Sequence, residues 1–69
     1  MQLTVVLFDA TNRGNAALLV RENDPCPYIT IRDLSETENG RYDWAWGHYF
    51  SDFDEAIDDY RKRLSDIAE

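Results

Sequence analysis

One cysteine, Cys26, is all the thiol chemistry this chain carries. A lone thiol forms no intrachain disulfide and supplies no cysteine-based metal site, a pattern that suits a reducing, cytoplasmic setting. No apolar run approaches the roughly 18 residues of a membrane span. Leu3–Phe8 is too short for a signal peptide and has no basic residue before it. There is no glycine-rich phosphate loop and no Gly-x-Ser-x-Gly elbow. The single histidine, His48, could pair with Cys26 as base and nucleophile. Cys26 sits between Pro25 and Pro27, however, and no third group stands ready to orient the imidazole. Neither an enzyme nor a cofactor is expected. Basic residues are also scarce, at seven against fourteen acids, for a net charge of −7.

Sixty-nine residues make one domain with a thin core. Nine aromatics and an apolar share of 43% argue for a folded chain rather than a disordered one. The last third reads as one amphipathic helix over about 52–67. Phe53, Ala56, Ile57, Tyr60, Leu64 and Ile67 fall at the spacing of one helical face. Ser51 is the expected cap, with Asp52 the alternative and Glu55 its capping-box partner. Acids crowd the first two turns and Arg61, Lys62 and Arg63 follow, the order that suits the helix dipole. Asp58 and Asp59 are spaced to meet those bases.

Four strands precede the helix, at about 2–9, 16–21, 28–34 and 41–50. The first is apolar on both faces, with Leu3, Val5 and Leu7 on one and Val6 and Phe8 on the other, which suggests a central place in the sheet. Gly14 supplies turn chemistry before the second strand. Pro25 and Pro27 interrupt pairing before the third. Asn39-Gly40 signals a hairpin into the fourth. There, strict alternation puts Tyr42, Trp44, Trp46 and His48 on one face, with Gly47 marking a bulge. The expected fold is α+β, a four-stranded antiparallel sheet of two hairpins with one helix across one face. One helix leaves the other face bare, polar or shallowly packed; a homodimer or a docked partner would cover it.

The charge is uneven. Residues 1–32 hold three acids and three bases, residues 33–59 nine acids and one base, and residues 60–69 two acids and three bases. All of the excess negative charge therefore lies between Asp33 and Asp59. Such a surface repels nucleic acid and anionic membrane and attracts basic protein surfaces. Asp52-Phe-Asp-Glu-Ala-Ile-Asp-Asp59 lacks the mid-loop glycine and terminal glutamate of a calcium loop, so no metal site is expected. Tyr42, Trp44 and Trp46 could stack on bases, but not in the most acidic part of the chain; they read as core or as a secondary protein interface. The acids themselves read either as a solvated face that keeps a small protein soluble or as a binding surface. Helical carboxylates at i and i+4, such as Asp54 and Asp58, lie about 6 Å apart along the axis. Strand phosphates rise about 3.4 Å each, a comparable repeat.

Glu36, Glu38 and Asp43, then Asp52, Asp54, Glu55, Asp58 and Asp59, carry a resemblance to small acidic inhibitors of phages and mobile elements. These are the anti-CRISPR proteins and other DNA mimics, such as the uracil-DNA glycosylase inhibitor. The resemblance implies that those eight residues bind a basic nucleic-acid-binding protein, such as a CRISPR effector, and occlude it. A weaker similarity joins strands leading into Ser51-Asp-Phe-Asp-Glu-Ala-Ile57 to HicB-type antitoxins. This chain has only Asp33-Leu34 where those proteins show Pro-Asp-Leu-Pro-Gly. That similarity implies an interaction domain working through its exposed sheet face.

Overall fold

The computed structural model describes residues 3–68. Four strands, β1 (Leu3–Thr11), β2 (Gly14–Arg21), β3 (Tyr28–Glu36) and β4 (Tyr42–Phe50), are followed by helix α1 (Phe53–Asp66). The strands form one antiparallel meander in the order β1-β2-β3-β4. The expected α+β architecture is therefore the observed one. Gln2, placed in the first strand from sequence, lies outside the described residues.

The hairpins are tighter than the turn composition suggested. β1 and β2 run on until Thr11 pairs with Gly14, leaving Asn12 and Arg13 as the turn. Gly14 takes φ 133°, and a Cβ there would lie 2.9 Å from an Asp33 carboxylate oxygen. The β3–β4 loop closes by a Gly40 N–H to Thr37 carbonyl bond of 3.0 Å, with Gly40 at φ 76°.

Both faces of the sheet are apolar at its centre. Ala16 and Leu18 of β2 point to the helix and join Ala56, Tyr60 and Ile67 in one buried cluster. Ala17, Leu19, Ile29 and Ile31 point the other way and form a second cluster. That second face is not bare. Leu3 and Val5 of β1 and Leu34 and Trp44 of the β3–β4 hairpin pack against it. Twist accounts for this. Each strand is rotated relative to its neighbour, so diagonal corners of a four-stranded sheet fold toward opposite faces. The helix lies along one diagonal, from Phe53 packed edge-on to Tyr28 at 5.3 Å to Ile67, whose carbonyl accepts from the Thr11 hydroxyl at 2.6 Å. Along the other diagonal, the start of β1 and the β3–β4 tip close over the second face.

Bulges correct two expectations about which way side chains point. β1 is an edge strand, not a central one. Its register slips between Val5 and Leu7. Leu3, Val5 and Phe8 then share the second face, while Leu7 lies opposite Leu18 on the helix side. In β4 the register slips on both sides of Arg32–Ala45. Trp44 faces the second cluster, His48 faces the helix, and Trp46 between them takes φ 55° and points out. The expected common face for Tyr42, Trp44, Trp46 and His48 does not exist, because an extra residue reverses the alternation.

Asp52, not Ser51, caps the helix: its extended backbone lets the carboxylate accept from the Asp54 N–H at 3.0 Å. Of the apolar stripe, Ala56, Tyr60 and Ile67 are fully buried and Ile57 and Leu64 are half-buried at its margin. Phe53 keeps 40% exposure because the helix begins beyond the sheet. Leu18→Ala should cost about 2–5 kcal/mol, the usual range for a buried leucine, whereas Asp58→Ala on the exposed helix face should leave the melting temperature within a degree or two. Thermal melts by circular dichroism measure both.

Candidate functional site

The acids fall into two patches at opposite ends of β4, with one acid set apart. Glu36, Glu38 and Asp43 are exposed at the β3–β4 tip. Asp52, Asp54, Glu55 and Asp58 are exposed over the cap and first two turns of α1. From Asp43 to Phe50, the last residue of β4, the strand runs up to about 23 Å at 3.3 Å per residue. The helix and the tip therefore present two surfaces rather than one continuous acidic strip.

None of these seven carboxylates forms an ion pair among the described residues. The pairs present there are Arg21–Asp24 at 2.9 Å, Arg63–Asp59 at 3.1 Å and His48–Asp59 at 3.0 Å. Asp58 does not meet Arg61 or Lys62. Two of the seven do make local bonds: Asp52 caps the helix, and Asp43 accepts from the Trp44 N–H at 3.0 Å. Otherwise their charge is left to solvent.

Asp59 is different. It stands on the flank of α1 that meets the sheet, and one oxygen, Oδ2, accepts from the Thr30 hydroxyl, His48 Nδ1–H and Arg63 Nε–H. Thr30 is fully buried on β3, His48 lies on β4, and Arg63 retains only 6% exposure. One carboxylate thus ties helix, β3 and β4 together. Burial pushes this carboxyl up, but the three hydrogen bonds and the charge of a protonated His48 outweigh it and hold the group below its ordinary value near 3.8. A second inward bond, Tyr60 hydroxyl to Asp9 at 2.6 Å, joins the helix to β1. Burial and the Asp9 charge raise this phenol well above its usual range, so it stays a donor.

The aromatics separate as well. Trp44 is half-buried in the second cluster, and Gly47 makes room for it: a Cβ there would sit 3.1 Å from Trp44 Nε1. Trp46 is 77% exposed on its bulge. Leu3, Gly40, Arg41, Tyr42 and Trp44 line an open groove of about 540 Å³ where the two corners approach. Arg21 lies over the Tyr49 ring at 5.5 Å. Among the described residues no three His, Cys, Asp or Glu side chains are grouped to hold a metal ion, and no helix is long and apolar enough to cross a membrane. Cys26 is half-buried in the β2–β3 loop, where its N–H donates to Asp24 at 3.0 Å.

Compared with known protein families, curated proteins and solved structures, the chain has no significant match.

The Asp59 role predicts a pH effect of definite sign. A carboxyl depressed by folding contributes stability that is complete above its unfolded value, near 3.8, and is lost as pH falls through the lower folded value. Asp59→Asn should cost about 3 kcal/mol near neutrality, because it strips a buried guanidinium of its counter-charge. It should also flatten the loss of stability below about pH 4. Urea unfolding at several pH values reads both effects. Trp46→Gly should raise stability by up to about 1 kcal/mol, because the left-handed conformation costs a tryptophan and not a glycine. A lower melting temperature would show that the indole is packed rather than presented.

Proposed function

We propose that this protein is a non-enzymatic binding protein that occludes a basic, nucleic-acid-handling partner. The observation that carries this reading is the set of exposed, unpaired carboxylates at the opening of α1: Asp54, Glu55 and Asp58, beside the capping Asp52. Four residues of helix carry Asp54 to Asp58 about 6 Å along the axis. A protein that reads phosphate with Arg and Lys meets in that row negative charges repeating within a factor of two of the roughly 3.4 Å phosphate rise. Glu36, Glu38 and Asp43 form the second contact, at the far end of β4. Long-range attraction brings the partners together, and the occupied basic surface is then closed to nucleic acid.

Asp59 contributes to this surface only by seating the helix. A test of the charge should therefore leave it intact. The experiment is capture of partners from a host lysate by the native chain and by the Asp54→Asn, Glu55→Gln, Asp58→Asn triple variant, with mass spectrometry of what is retained. A basic nucleic-acid-binding protein should be captured by the native chain alone, released as salt rises, and displaced by a duplex oligonucleotide. Retention by the triple variant, unchanged at any salt, would leave the carboxylates with a solubilising role only.

The second reading is an interaction domain that works through its sheet rather than its charge. It is favoured by the exposure of Tyr42, Trp46 and Tyr49 along β4. It expects Trp46→Ala, and not the triple variant, to abolish capture.

A further inference from the structure

The two edges of the sheet are built differently. β4 carries Asp43, bulges at Trp46–Gly47, and faces a β3 segment bent at Asp33, which takes φ 57°. A charge within the strand, a left-handed Trp46 and a bent neighbour together keep this edge from pairing with another chain. β1 is the opposite edge, and from Leu3 to Phe8 it has no charged residue, no proline and no glycine. Its irregularity is the bulge at Val6. Val6, Leu7 and Phe8 in succession stay 43%, 37% and 49% exposed. The helix does not reach over this strand; it touches β1 through the Tyr60–Asp9 and Thr11–Ile67 bonds at its far end. Apolar residues on both faces suit a strand with neighbours on both sides, and β1 has one.

We infer that β1 pairs antiparallel with β1 of a second copy of this chain, about a two-fold axis perpendicular to the sheet, joining two four-stranded sheets into one. Charge selects this occupant and this edge. Residues 1–21 contain Asp9, Arg13 and Arg21, a net of +1, so residues 22–69 carry −8 of the total −7. The excess negative charge of each copy lies between Asp33 and Asp59, so two copies meet along the β1–β2 side without bringing those acids together. A two-fold antiparallel pairing sets the uncharged Leu3–Phe8 segment against itself, so no like charges come opposite one another. A basic partner finds only Asp9 there to attract it. In the paired form both helices lie on the same side of the sheet, and both β4 strands, with their acids, lie at the outer edges. The inference stands apart from the acidic-surface reading, and the two respond to salt in opposite directions.

Sedimentation equilibrium over a range of concentrations, at low and high salt, tests it on the native chain and on Val6→Lys, Phe8→Lys and the β4 control Trp46→Lys. The native chain should dimerise, more tightly as salt screens the repulsion between two copies of charge −7. Each β1 lysine should weaken dimerisation at least tenfold, and Trp46→Lys should not. Hydrogen exchange on the native chain keeps the test independent of how the variants fold: β1 amides should become slower to exchange as concentration rises. A native chain that stays monomeric at every concentration and salt overturns the inference. So does a dimer that survives both β1 lysines, or one that leaves β1 exchange independent of concentration.

Discussion

A sheet with two apolar faces and a single helix has to cover the second face by other means, and the rest of this fold follows from that constraint. Leu19, Ile29 and Ile31 are as fully buried on the second face as Leu18 is under the helix. The twist of the sheet brings Leu3 and Val5 from one corner and Leu34 and Trp44 from the opposite corner over them. The bulges make the fold-over possible. Asp33 in the left-handed conformation bends β3, and the Asn15 amide completes the pairing lost there, accepting from the Leu34 N–H at 2.7 Å and donating to its carbonyl at 3.2 Å. Because the chain covers its own second face, what remains exposed is the acids, the outward aromatics of β4 and the edge of β1.

The carboxylates divide by the same geometry. Asp59 lies between helix and sheet, where removal from water is compensated by three donors on three elements. Asp54, Glu55 and Asp58 lie on the outer flank of the same helix, with no cation to meet among the described residues. One helix thus holds an acid that stabilises the fold and a group of acids that repel one another. That repulsion among like charges costs a small domain stability.

Much of the architecture was legible in the sequence. The stripe from Phe53 to Ile67, the turn glycines and the prolines at 25 and 27 placed four strands and a helix in order, with boundaries off by two residues at most. The sidedness of β1 and β4 was not legible. Alternation assumes one residue opposite one, and the bulges at Val6, Asp33 and Trp46 arise from pairing with residues distant in sequence. For the same reason β1 read as central: composition records how apolar a strand is, not how many neighbours it finds. Composition alone groups Asp59 with the surface acids, although it sits three residues after Ala56 and four before Arg63, on the flank of the buried stripe. That spacing was a usable signal. Thr30 and His48, which complete the cluster, are joined to it only by the folded sheet.

The claim on which the account turns is that the chain closes its second face by itself. Nuclear Overhauser spectra of the methyl and indole protons, taken on dilute protein, test it most directly. The account predicts cross-peaks from the Trp44 indole and from the Leu3 and Val5 methyls to the methyls of Leu19, Ile29 and Ile31. A Trp44 indole with no cross-peaks to that cluster, or with cross-peaks that appear only as concentration rises, would show a face left open for a partner and would contradict it.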